Sequence, residues 1–398
     1  MQRSFSVIAK IDDRAGDQPG QPPKETHMTT QATTPANLIV PGQAEVQRLL
    51  DAAVTEQNYP GMIAEIRNGS QHWFASAGVA DTATGSPRTA QEQFRVGSIT
   101  KTFTATLVLQ LAAEYQLSLD DTVEQWLPGL VQGNGHDGTK ITIRHLLNHT
   151  SGIYAYTLDE GMLERYWTPK LLEHRFDKLT PEDLVKIAVS HPVDFQPGQD
   201  WGYSNTNFVL AAMIVEKAAG MSYADALAYR IARPLKLTGT YAPGHETGFR
   251  GPHTHSYSKL MLPDADAPAH DVTELSPSYA FGVGEIISTA ADLGTFLNAL
   301  LSGRLLPPAQ QSEMFTMTPV PDGKWLDGYS YGLGISSLTL PGGTTVYGHG
   351  GMITGTWSYL YGTRDGKRVV TQNVNGDWGM PPMGLFIDVL DAAFRPAV

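Results

Sequence analysis

The chain has 398 residues, 41% of them hydrophobic and 17% charged, which is enough apolar mass for two domains or one two-lobed unit around a large core. Its 40 acidic residues against 28 Lys plus Arg give a net charge of −12, a surface that repels phosphate backbones and excludes nucleic acid as a partner. The absence of cysteine removes disulfides, thiolate metal sites and a Cys nucleophile, and no apolar run approaches the roughly 18 residues of a membrane span.

Residues Met1 to Met28 are polar and Pro/Gly-rich and read as an artificial leader joined at His27-Met28, with Thr29 to Pro41 a flexible lead-in. Residues 1–41 are therefore set apart from the fold. AEVQRLLDAAVTEQ, from Ala44, has helical spacing. GMIAEIRNGSQHWFASAGVAD alternates apolar and polar positions around an NGS turn and predicts a β-hairpin. VGSITKTF then opens a helix that runs to about Glu114. The stretch 118–277 changes character: IRHLLNH, PEDLVKIAVSH and TNFVLAAMIVEKAAG are helical pieces joined by Pro/Gly-rich loops. TAADLGTFLNALLSG is another amphipathic helix. Strand patterns return in YSYGLGISSLTL, TTVYGHGG and TWSYLYGTRDGKRVVTQNVN, with RDGK as a turn, and GLFIDVLDAAF closes the chain as a helix. The pattern is that of an α+β fold: a sheet flanked by helices, built from 42–117 and 278–398, with a mostly helical lobe inserted over 118–277.

Three stretches carry chemistry. On a helix, Ser98 and Lys101 share a face, with Cβ atoms about 5–6 Å apart. A serine hydroxyl becomes a nucleophile when a base takes its proton, and a lysine can be that base once desolvation lowers its pKa. Near a helix start, Ser98 also lies close to backbone N–H groups able to stabilise an oxyanion. Alone, the tetrapeptide also describes a polar helix start with a solvated lysine. WGYSNTNF adds Tyr203, whose phenol can relay a proton, and Asn205, whose amide can bind a substrate carbonyl or orient the lysine. VYGHGGMITG adds His349, able to donate to a group in a cleft, followed by Gly350 and Gly351, which let a substrate backbone lie against a strand.

Ser98-Ile-Thr-Lys101, Tyr203-Ser-Asn205 and His349-Gly-Gly351, in this order, resemble the three active-site motifs of the penicillin-recognising serine enzymes. The Y-x-N and H-x-G forms are those of the branch holding class C β-lactamases, D-Ala-D-Ala carboxypeptidases, D-aminopeptidases and D-amino-acid amidases. FRVGSITKTFTA, LLNHTSGIY, ISTAADLGTFLNALLSG and YGLGI extend the likeness from about Gln43 to the C-terminus. The resemblance implies a β-lactamase/transpeptidase-like fold, an antiparallel sheet flanked by helices with an inserted all-helical lobe, and acylation of Ser98. It implies that Lys101 and Tyr203 share general-base and general-acid work, that Asn205 holds the substrate amide, and that His349 lies across the cleft. The oxyanion hole would use the N–H groups of Ser98 and Met352.

The departures from the family pattern choose among its reactions. Carboxypeptidase relatives grip a free C-terminal carboxylate with an arginine after the GLG-x segment and a hydroxyl inside H-x-G. Here those places hold Ser336 and Gly350. A carboxylate buried without donors costs several kcal/mol. The expected activity is therefore a D-stereospecific amidohydrolase or peptidase acting on D-aminoacyl amides, esters or peptides, with D-Ala-D-Ala carboxypeptidase, class C-like β-lactamase or esterase as the alternative. A substrate α-ammonium needs an anionic or carbonyl partner. Asp159 and Glu160 are candidates for it unless they form a solvated loop, and Glu285 is another unless it bonds to backbone. Tyr154, Tyr156 and Tyr279 are candidates for a side-chain pocket or for core packing. His145 and His149 stand four apart, but without H-E-x-x-H they read as structural, and GHGGMITG lacks the companions of a nucleotide site. No metal or cofactor is expected. The expected partner is a small molecule or peptide containing a D-amino acid, handled by a secreted monomer.

Overall fold

The computed structural model describes residues 42–262, 264, 266–325, 328–378 and 383–395. The leader read over Met1 to Met28 and the lead-in read over Thr29 to Pro41 lie outside them. Alternating apolar positions build one nine-stranded antiparallel sheet from both ends of the chain. Its strands are β1 (Gly61–Asn68), β2 (Gln71–Asp81), β3 (Ser86–Pro87), β4 (Thr318–Pro319), β5 (Tyr329–Tyr331), β6 (Ser336–Thr339), β7 (Thr345–Ile353), β8 (Thr356–Gly362) and β9 (Arg368–Val374). They lie in the order β4-β5-β6-β7-β8-β9-β1-β2-β3. N-terminal β1 thus pairs with C-terminal β9, Met62 facing Val374. The NGS and RDGK segments make the two expected hairpin turns, with Gly69 and Gly366 at φ +62° and +69°, a region open to glycine without steric cost.

Side chains one apart on β1 go to opposite faces, as the pleat requires. Met62, Ala64 and Ile66 pack with α1 (Gln43–Thr55) and with the C-terminal helix Met383–Phe394, through Leu50, Phe386 and Leu390. Ile63 and Leu360 belong to the opposite core, with Phe296 and Leu300. That core holds α2 (Thr100–Ala113), α3 (Asn205–Ala219) and α4 (Ala290–Leu301), while the C-terminal helix is α5. Helix α2 is buried on nearly every side, between the sheet and the helices of the 118–277 stretch, so one core runs from Ile63 through Phe103 and Phe208 to Leu184. The sheet and the inserted helices therefore share side chains across α2. No helix among the described residues is long and apolar enough to cross a membrane.

Two features aim the chain at its central cleft. The short strand Gln93–Arg95 pairs with Ile287–Thr289, which brings the turn before α2 beside the loop before α4. Arg88, fully buried, ties the edge of this arrangement together: it pairs with Glu92, donates to Gly61 O at 3.0 Å and to Asn373 Oδ1 at 2.6 Å. Removing one charge of a buried pair leaves the other uncompensated. Glu92→Gln is expected to lower unfolding stability by about 3–5 kcal/mol, measured by urea denaturation.

Candidate active site

Ser98 sits in a 3₁₀ turn, Gly97–Ile99, that runs directly into α2. The turn begins on Gly97 at φ +55°, and Val96 N is anchored to Ile286 O at 2.9 Å. One turn later Lys101 points back. Its Nζ lies 2.8 Å from Ser98 Oγ and 3.1 Å from Val283 O, and 5.0 Å from the centre of the Tyr203 ring. Lys101 is completely buried, and that burial drives its pKa well below the ordinary lysine value of 10.5, which favours the uncharged amine. A neutral amine in contact with a hydroxyl is a proton acceptor.

Tyr203 precedes α3. Its hydroxyl is buried without a well-formed hydrogen bond. Burial raises its pKa, and the nearby Ser98 hydroxyl only partly opposes this, so the phenol keeps its proton. Asn205 is the first residue of α3, with Ser204 at the N-cap position. Its Nδ2 donates to Thr157 Oγ1 at 3.0 Å. His349, on β7, lies behind the cleft wall. Its Nε2 meets Tyr331 OH at 2.9 Å and its Nδ1 donates to Gly350 O. Burial depresses its pKa to about 3, so the imidazole is neutral.

Strand β7 runs against the Ser98 turn so closely that only glycines fit. A Cβ on Gly351 would stand 2.0 Å from Val96 O and 2.8 Å from Ser98 N, and one on Gly97 would stand 2.5 Å from Met352 N. The main chains of Ser98 and Met352 therefore meet at one wall of the cleft, and both residues line it.

The cleft is a cavity of about 590 Å³ with a mostly apolar lining. Tyr154, Tyr156, Tyr279, Trp167, Trp357 and Met261 form much of its wall, and Ser98, Tyr203 and Asn205 stand at its floor. The three tyrosines also bond to the surrounding fold. Tyr154 OH donates to Leu158 O at 2.9 Å, Tyr156 OH to Tyr279 O at 2.5 Å, and Tyr279 OH lies 3.2 Å from Thr354 Oγ1. Burial raises the Tyr279 phenol to about 12. The two acidic candidates separate. Glu160 is exposed and lines the cavity, whereas Asp159 caps the helix Glu160–Trp167 by accepting from Met162 N at 3.0 Å and pairs with His191 at 2.9 Å. Asp159 is held off the cavity because both its oxygens are engaged. Glu285 also lies off it, its carboxylate accepting from Gly282 N at 2.9 Å, and burial raises it to about 7. Sequence reasoning missed Trp167, Trp357 and Met261. They lie in three separate segments, and no local pattern links them.

The two departures from the carboxylate grip have a physical counterpart. Ser336 is wholly buried, its Oγ 2.7 Å from Gly348 O and 2.8 Å from Tyr329 OH. A Cβ on Gly350 would meet the Tyr359 ring at 2.9 Å, so an aromatic ring occupies the space beside that glycine. Glu160 is the one charged side chain lining the cavity among the described residues.

The lysine makes a prediction about stability. Between its lowered native pKa and 10.5, the unfolded chain carries a proton on Lys101 that the native chain lacks, so stability rises with pH across that window. Relative to Lys101→Met, the wild-type protein should gain stability from neutral pH toward pH 10, as read by urea denaturation at a series of pH values.

The β-lactamase family model matches residues 46–384. Superposition on a D-stereospecific amidohydrolase from Streptomyces sp. gives a TM-score of 0.81 at 46% identity, covering 88% of this chain and 98% of that one. The D-amino acid amidase of Ochrobactrum anthropi SV3 superposes with a TM-score of 0.76 at 26% identity, over 88% of this chain and 98% of the other. Penicillin-binding protein 4* of Bacillus subtilis is 28% identical over 323 residues, 77% of this chain but 66% of that protein's own length. With a family match over most of its length and this antiparallel sheet flanked by helices, the chain belongs to the β-lactamase family of serine hydrolases.

Proposed function

We propose that the protein is a D-stereospecific amidohydrolase that cleaves D-aminoacyl amides, esters or peptides through an acyl-Ser98 intermediate. The observation that carries the choice of substrate end is the charge of the cavity wall. It offers a carboxylate, Glu160, and among the described residues no arginine or lysine. Such a wall attracts the α-ammonium of an aminoacyl donor and disfavours the carboxylate of a peptide C-terminus. The stereochemical half of the reading is supported by the likeness to the Streptomyces enzyme.

In this reading neutral Lys101 accepts the Ser98 proton as Oγ attacks the carbonyl carbon. The N–H groups of Ser98 and Met352 receive the negative charge that develops on the carbonyl oxygen. Tyr203, protonated in its buried place, gives its proton to the departing amine, so that the amine leaves neutral. Lys101 then returns a proton to Tyr203, and water or a second amine attacks the acyl-serine by the reverse path. Asn205 aligns the substrate amide, while Tyr154, Tyr156 and Tyr279 pack on its side chain. The reading extends to an active monomer, which sedimentation checks. A secreted location follows only from the extracellular occurrence of D-amino-acid peptides.

A D-aminoacyl p-nitroanilide, a peptide ending in D-Ala-D-Ala and a chromogenic cephalosporin, offered side by side, test the reading. The first is expected to turn over with strong preference for the D-isomer, and Ser98→Ala to reduce its rate at least about 10⁴-fold. Turnover of the peptide alone, or equal use of both enantiomers, overturns it. Glu160→Gln is expected to raise KM severalfold for the free aminoacyl anilide and to leave KM for its N-acetyl derivative unchanged.

A further inference from the structure

The LLNHTSGIY stretch places a second histidine next to the reactive groups, one to which no chemistry has been given above. His149 is wholly buried and follows the short helix Ile143–Leu147 at φ +63°, a left-handed conformation that a non-glycine residue adopts at a cost. That conformation turns three acceptor or stacking surfaces toward a single segment. The His149 carbonyl accepts from Gly202 N at 3.0 Å. Its Nδ1 accepts from Ser204 N at 3.2 Å and from Asn207 Nδ2 at 3.1 Å. Its ring lies 4.3 Å from the Tyr203 ring, inclined by 34°. Both neighbours of Tyr203 are thus held by His149, and Tyr203 itself packs on the imidazole.

The direction of these bonds follows from the surroundings. Ser151 Oγ donates to Asn207 Oδ1 at 2.6 Å, so the amide of Asn207 presents its nitrogen to His149. Two donors on Nδ1 leave the proton on Nε2, which is buried without a partner. Burial holds the ring neutral. The Tyr203 hydroxyl lies near the Ser98 hydroxyl but makes no well-formed hydrogen bond, so the reacting end of that side chain is only weakly held. Its position is set from the ring, by His149 on the one hand and by Trp325 at 4.9 Å on the other.

We propose that His149 is a positioning residue that aims the Tyr203 hydroxyl at Ser98 by accepting from both sides of the Tyr203 segment and stacking on its ring. It acts through Tyr203 and does not touch substrate. The inference rests on the serine acyl-transfer reading but on no choice of substrate. Its test therefore uses the rate at which a fluorophosphonate probe labels Ser98 in the full-length protein, alone and in a double-mutant cycle. Labelling of the wild type and not of Ser98→Ala establishes the nucleophile independently of which amide is cleaved.

His149→Phe keeps a ring and removes the acceptor. It is expected to slow labelling on the order of a hundredfold, the size of effect that an ångström of misplacement produces. His149→Asn, whose Oδ1 can replace Nδ1 and whose backbone tolerates positive φ, is expected to restore the rate to within about threefold. In a Tyr203→Phe background the His149→Phe change should cost nothing further. An unchanged rate in His149→Phe, or a loss of equal size with and without the Tyr203 hydroxyl, overturns the proposal. Should His149→Phe not fold, ¹⁵N NMR of histidine-labelled wild-type protein decides. The Nε2–H tautomer, neutral well below pH 6.5, is expected, and an Nδ1–H tautomer overturns the assignment.

Discussion

The structure depends on keeping one amine dry. Lys101 lies inside α2, at the seam between the sheet and the inserted helices, with a hydroxyl, a carbonyl and two aromatic rings for neighbours. A paired carboxylate there would restore the charge and with it the ordinary basicity, leaving the lysine unable to take a proton at neutral pH. The burial of α2 on almost every side is what keeps such a site dry. The same property that lets the helix fill the middle of the core lowers the lysine pKa. The cost in stability is carried by the core around it, a common condition of active sites.

A second constraint is the contact between β7 and the turn that bears the nucleophile. Two glycines remove the side chains that would hold these backbones apart, and the amides of Ser98 and Met352 come to the same wall of the cleft. The pair of short strands at Gln93–Arg95 and Ile287–Thr289 fixes the turn from the other side, so Val283 O can reach Lys101. Ser98, Lys101 and the amides of Ser98 and Met352 are thus set by strand and helix backbones, which move less than loops do. Tyr203, by contrast, hangs from a loop before α3. Its placement relies on the packing of His149 and Trp325.

The alternation of β1 and β2, the NGS and RDGK turns and the apolar runs of α1, α4 and α5 were all legible in the amino-acid order, because strand and helix periods are local properties. The Ser98-to-Lys101 spacing was legible for the same reason. The pocket was not. Trp167, Trp357 and Met261 come from a helix, a strand and a loop far apart in the chain, and their convergence depends on how the lobes pack. Adjacent acidic residues divided between two tasks. Asp159 became a helix cap with His191 as partner, and Glu160 faced the cavity, a distinction of one residue that the helix start decides. His349 likewise carried a recognisable motif, but only the packing placed its ring against Tyr331 behind the cleft.

By itself, the order of residues determined the sheet-and-helix pattern, the exclusion of thiol chemistry and the presence of a hydroxyl and an amine one turn apart. It also determined that the positions of the carboxylate grip hold Ser336 and Gly350. Tertiary structure alone decided that burial lowers the pKa of the amine, that Ser336 is sealed against Tyr329 and Gly350 against Tyr359, and that the cavity presents one carboxylate and, among the described residues, no cation. The physical reason is that desolvation and field are sums over every atom packed around a group, most of which lie far away along the chain.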